Sequence, residues 1–128
     1  MDLIDRLQDS IETLDLSFKV VQNINTEDDS ITVMSLPGST VTRAYFDGVK
    51  DKAMNYEIRG VTIDKVDVAE KELFIIADFL GSLTSLTSLD GSFEFSDIVV
   101  SDEPYFLDAQ EDGSVVFGLT FVANVTIF

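Results

Sequence analysis

The closing stretch EDGSVVFGLTFVANVTIF (residues 111–128) decides the fold. Its odd positions Val115, Phe117, Leu119, Phe121, Ala123, Val125 and Ile127 are all apolar, while the even positions, from Val116 to Phe128, mix Gly, Thr and Asn with apolar residues. A period of two sustained this far is a β-strand, and a strand this long and apolar is either central in its sheet or covered on both faces. Glu111-Asp112-Gly113 is a hairpin signal, so the strand folds back on residues 104–110. Upstream, residues 92–100 alternate from Phe93 and Phe95, then change phase to Ile98 and Val100 around Asp97, which predicts a bulge or bend.

Working outward, a helix precedes this β-half. Asp67 and Glu70 have the spacing of a capping box, and Ala69, Leu73, Ile76, Leu80 and Leu83 follow at helical intervals. Phe74, Ile75, Ala77 and Phe79 widen the apolar arc, so the helix is expected to lie on the sheet and to be covered again from outside. In LGSLTSLTSL (80–89) leucines recur every three residues, which either continues the helix, the reading preferred, or tightens into a 3₁₀ turn. The N-terminal half opens with a second amphipathic helix over 2–14, striped by Ile4, Leu7, Ile11 and Leu14. Strands follow at 18–24, 31–36, 40–46 and 53–63, separated by a polar run at 25–30 and by turns at Pro37-Gly38 and Asp47-Gly48, with a possible phase shift at Gly60. The order is that of an α+β domain: an antiparallel sheet, made of a β-meander and then a C-terminal hairpin, packed by two helices. Residues 1–128 read as one domain, without a second domain, linker or long repeat.

Composition excludes most chemistry. The chain has neither cysteine nor histidine, which removes thiolate nucleophiles, disulfides, zinc-thiolate sites and the usual proton shuttle. Without a histidine base, a serine hydrolase would need a serine-lysine motif, and none is recognisable. No glycine-rich phosphate loop is present. Paired carboxylates carry no weight among 24 acids, and the segment 108–113 lacks the ligands of a calcium loop and reads as a turn. Glu27, Asp28 and Asp29 are a weak candidate for a hard cation, outweighed by an exposed polar loop. No cofactor, metal or enzymatic activity is expected. No membrane span is expected either, and acids in MDLIDRLQDS (1–10) argue against a secretory signal, so Asn124-Val125-Thr126 is not read as a glycosylation site.

Charge is the strongest compositional signal. Twenty-four acids against eight bases give a formal net charge of −16, the wrong sign for gripping nucleic acid. Six bases (Arg43, Lys50, Lys52, Arg59, Lys65, Lys71) lie between Arg43 and Lys71, and no base follows Lys71. Such a distribution either serves solubility alone or makes two faces of opposite sign that dock copy to copy.

SLPGSTVTRAYFDG (35–48), Met54-Asn55-Tyr56-Glu57-Ile58, Gly91-Ser92-Phe93 and residues 111–128 together give the chain, along nearly its whole length, a pattern that resembles the minor capsid or tail-terminator proteins of siphophages and prophages of Gram-positive bacteria. The resemblance implies a virion subunit, put together in the host cytoplasm, that forms a ring, commonly a hexamer, on the head-proximal end of the tail tube. There it stops tube growth and meets the head connector, while DNA passes the lumen without specific binding. Its partners would be itself, the tail-tube protein and the head-completion protein. A head-completion or neck adaptor and a tail-tube subunit are the alternatives of similar build, and a carboxylate-metal enzyme is a third. Under the ring reading the interface residues are Arg43, Tyr45, Phe46, Asp47, Lys50, Lys52 and Arg59. The competing reading packs Tyr45 and Phe46 against the sheet and leaves Arg43 in solvent.

Overall fold

The computed structural model describes residues 2–22 and 29–128. Eight elements follow in order: α1 (Leu3–Glu12), β1 (Lys19–Gln22), β2 (Ser30–Ser35), β3 (Thr40–Ala44), β4 (Lys50–Thr62), α2 (Val66–Ser82), β5 (Phe93–Ala109) and β6 (Val115–Ile127). Six strands make one sheet ordered β1-β2-β4-β6-β5, with β3 pairing β4. The architecture is α+β, as its residue pattern predicts.

β6 is central, flanked by β4 and β5 along its length. Its odd residues Phe117, Leu119, Phe121, Ala123 and Val125 are buried and join Ile58, Leu73, Ile76, Leu80, Leu3, Leu7 and Ile11 in the core. Both helices therefore cover the face that carries the odd positions of β6 and the even positions of β4, since Tyr56 is opposite Phe121 and Ile58 opposite Leu119. Val116, Thr120, Val122, Asn124 and Thr126 line the other face, termed here the open face. The anticipated bulge at Asp97 is present, and β5 carries three further register shifts; 92–100 and 104–110 thus form one bulged edge strand. Bulges, charges and Pro104 are the devices by which an edge strand resists indiscriminate pairing.

Several expectations are corrected. β1 runs parallel to β2, so the sheet is not a pure meander: Lys19 is opposite Ser30 and Gln22 opposite Val33. Ile24, the polar run from residue 25 to 28, and Glu27 and Asp28 lie outside the described residues. Asp29 accepts a hydrogen bond from Thr62 Oγ1 (2.7 Å) and lies 3.4 Å from Lys65 Nζ, a tie between strand and helix. Pro37-Gly38 does not reverse the chain. β2 and β3 run in the same direction and pair successive parts of β4, and Gly38, at φ +97°, only interrupts one long hairpin arm. At Gly60 the register continues without a shift; α2 crosses there, with Leu73 and Ala69 above it.

α2 begins at Val66, with no side-chain cap at Lys65, so the Asp67–Glu70 box is not formed and Asp67 instead sits in the first turn, where a carboxylate suits the helix dipole. The helix does not continue through 83–89. It ends at Ser82, and Leu83 is already extended (ψ 122°). Gly, Ser and Thr hold a helix weakly, and the backbone beyond it finds partners elsewhere. Arg6 Nε donates to the Thr87 carbonyl (2.8 Å), Asp2 accepts from Leu89 N–H (2.7 Å), and Leu86 is buried in the core. On the outer side of α2, Phe74 and Ile75 stay 42% and 40% exposed.

Glu72 is the buried acid that holds this frame. At 6% exposure its carboxylate accepts the backbone N–H groups of Ser17 and Phe18, fastening the connection between α1 and β1 to α2. A buried carboxylate is tolerable only when so satisfied.

Candidate assembly interface

The arm formed by β3, its turn and the start of β4 lies at the edge of the sheet, with β3 outermost and the start of β4 paired to β6. Every residue of β3 is exposed. Tyr45 N–H donates to the Val49 carbonyl (2.9 Å) and Gly48 N–H to the Tyr45 carbonyl (3.2 Å), closing the turn that Asp47-Gly48 predicts, with Gly48 at φ +89° and Asp47 Oδ1 accepting Val49 N–H. At the tip Phe46 is 115% exposed, a whole aromatic ring in water. Tyr45 is 39% exposed, so neither aromatic packs inside.

Register assigns each side chain to a face. Arg43 is opposite Asp51, which is opposite Thr126, which is opposite Glu94, so one row on the open face crosses four strands from an arginine to a glutamate. Ala44 is opposite Lys50 and Val41 opposite Lys52, and both lysines share the helix-covered side with Val125 and Ile127. The predicted cluster is thus split: Arg43 lies on one face of the arm, Lys50 and Lys52 on the other. Arg59 stands apart, further along β4, where its guanidinium is bound to the buried carboxylate of Glu57.

Within the arm the Arg43 guanidinium lies 5.0 Å from the centre of the Tyr45 ring and makes no ion pair among the described residues. Asp51 accepts from Thr126 Oγ1 (2.6 Å) and Tyr45 Oη (2.9 Å). Those two hydrogen bonds, Thr126's the larger, hold the Asp51 carboxyl below its ordinary value, and the bond to Asp51 in turn raises the Tyr45 phenol. A depressed carboxyl contributes stability that is complete above the unfolded value, about 3.9, and fades as pH falls through the folded one. Tyr45→Phe is accordingly expected to raise the Asp51 pKa in an NMR titration of side-chain carboxyls, leaving Asp112, whose depression comes from Ser114, unmoved.

The opposite edge differs in sign. β5 carries Glu94, Asp97, Asp102, Glu103 and Asp108 and no base. Asp97 accepts from Asn124 Nδ2 (2.6 Å) and Asp102 from Thr120 Oγ1 (2.7 Å), which places both on the open face. Between β5 and the last turns of α2 runs a groove of about 460 Å³, lined by Asp78, Gly81, Ser82, Ile98, Val99 and Glu103 among others. Neither Asp78 nor Glu103 pairs with a base among the described residues, and the last turn of α2 contains no basic residue. Three strand spacings separate the β3 edge from the β5 edge, roughly 14 Å.

The exposed arm was legible as a segment, since turn, β-branched and aromatic residues surround Arg43. The groove was not, because it joins residues twenty apart whose types look like core and solvated surface. Among the described residues no helix is long and apolar enough to cross a membrane, and no group of three acids gathers to hold a metal.

No family model matches the chain, and no curated protein matches it. Among solved structures, a chain from the virion of a native gene transfer agent particle is similar, with a TM-score of 0.57 and 14% identity over 84% of this chain and 78% of that one. At that identity the likeness is one of fold.

Proposed function

We propose that the chain is a structural subunit of a phage-type virion that performs no reaction: a tail terminator, assembling as a ring, commonly of six copies, on the head-proximal end of the tail tube and offering its other side to the head connector. The observation that carries this is the pairing of an exposed arm, tipped by Phe46 and bearing three bases, with a base-free acidic edge on the far side of the same sheet. Two different patches that complement each other make a heterologous contact, the kind that closes into rings. The fold likeness to a virion chain, which spans most of both molecules, supports the same reading. So does a charge of −16, because acidic walls repel the phosphates of DNA passing through a lumen, within about 8 Å at physiological salt.

Light scattering of the purified protein at several salt concentrations tests it. The expected mass is six times the 14.2 kDa subunit, falling toward the monomer as salt rises. Electron microscopy should show short rings; long tubes would favour a tail-tube subunit. A chain that stays monomeric even when isolated tail tubes are offered would overturn the assignment.

A further inference from the structure

We infer that the arm of one copy inserts Phe46 into the groove between α2 and β5 of the next, so that the contact joins β3 edge to β5 edge. The inference deepens the ring assignment and rests on it.

Three independent features of the groove select this occupant. Ile98 and Val100, which share the helix-covered face with Ala123 and Phe121, give it an apolar floor, and Gly81 and Ser82 leave space on the helix side, which suits one flat aromatic ring. Its rim is anionic, with Asp78 on α2 and Glu103 on β5. And α2 ends beside it with no charge to offset the negative pole of its dipole: no base stands in the last turn, and its last carbonyls accept only neutral donors, Leu83 N–H at Leu80 (3.3 Å) and Ser82 Oγ at Phe79 (3.0 Å). Such an end favours a cation, and no Lys or Arg follows Lys71 in the sequence.

The arm answers each feature. Phe46 is its most exposed apolar group. Its charges divide between the two faces in the same way as the acids around the groove. Lys50 and Lys52 lie on the helix-covered side, as Asp78 does, whereas Arg43 lies on the open face, as Asp97 and Asp102 do. With neighbouring copies side by side in the same orientation, the arm straddles β5 and meets a carboxylate on each side. Aromatic and arginine anchors buried among desolvated partners are what concentrate binding energy at interfaces.

The absence of cysteine provides a clean test. Phe46→Cys and Ser82→Cys, both at exposed positions, are combined in one chain and oxidised mildly. Non-reducing electrophoresis should give a ladder rising to the copy number found by light scattering, while a mixture of the two single variants stops at dimers. Should the pair disturb folding by circular dichroism, Phe46→Cys with Gly81→Cys, where an added side chain meets nothing within 4 Å, repeats the measurement. A ring by light scattering that gives no ladder with either pair, or one in which Phe46→Cys alone dimerises as readily, refutes the seating of Phe46 and leaves the ring assignment intact. A wild-type protein that never assembles refutes both.

Discussion

Arg43→Glu is expected to melt as the wild-type monomer does, yet remain a monomer at concentrations where the wild type forms rings. Within its own subunit Arg43 has little to lose. It lies in an exposed strand, and its contact with the Tyr45 ring is of the exposed kind, about 0.5–1 kcal/mol, so thermal denaturation should move by a few degrees at most. Between subunits the balance differs. An arginine anchor at an interface is commonly worth about 2 kcal/mol or more, roughly thirtyfold in affinity per contact, and a ring multiplies that loss at every joint. Reversal adds repulsion from Asp97 and Asp102 of the neighbour and, at home, sets a glutamate opposite Asp51. Size-exclusion chromatography with light scattering at assembling concentrations, beside calorimetry at a salt concentration where both proteins are monomers, reads both halves. Unchanged assembly would remove Arg43 from the interface; a large fall in melting temperature would make it a structural residue.

What the residues disclose on their own follows a physical line. The alternation from Phe117 to Val125 was legible because a strand flanked on both sides must bury one full face, and the Asp-Gly turns because few other residues accept a positive φ. By contrast, the direction of β1 was hidden: four residues, Lys19–Gln22, alternate identically whether the neighbour runs parallel or antiparallel. The end of α2 was hidden for a different reason. Leucines every three residues favour helix locally, but Asp2 and Arg6, some eighty positions earlier, capture the backbone at Leu89 and Thr87 and hold it outside a helix. Glu72 looks like any surface acid until Ser17 and Phe18 are found to donate to it. The candidate interface shows the same limit. Alternation placed Tyr45 and Phe46 on a strand, but whether such aromatics pack or protrude depends on where the helices stop covering the sheet, a property of the whole fold.

Phe121→Ala should produce the opposite pattern to Arg43→Glu: a heavy loss of stability from a residue no partner touches. Phe121 is 1% exposed at the middle of the central strand, and its ring stacks on Tyr56 with centroids 5.5 Å apart and planes 22° from parallel. Burial pushes the Tyr56 phenol up to about 12, so this neighbour stays uncharged throughout the physiological range and the pair behaves as one apolar block. Truncation removes the transfer free energy of the ring and leaves a cavity that strands on either side cannot collapse to fill, at a cost of about 3–5 kcal/mol. Against a total stability of about 5–15 kcal/mol for a domain, that is about a fifth or more, or roughly 10–20 °C in melting temperature. Val122, the next residue, points to the open face and is half-buried, so Val122→Ala should cost about 1 kcal/mol or less. The contrast between adjacent positions is the measurement that matters: comparable losses at both would mean that the open face is also packed, and that the two-layer arrangement placing the arm and the groove at opposite edges is wrong.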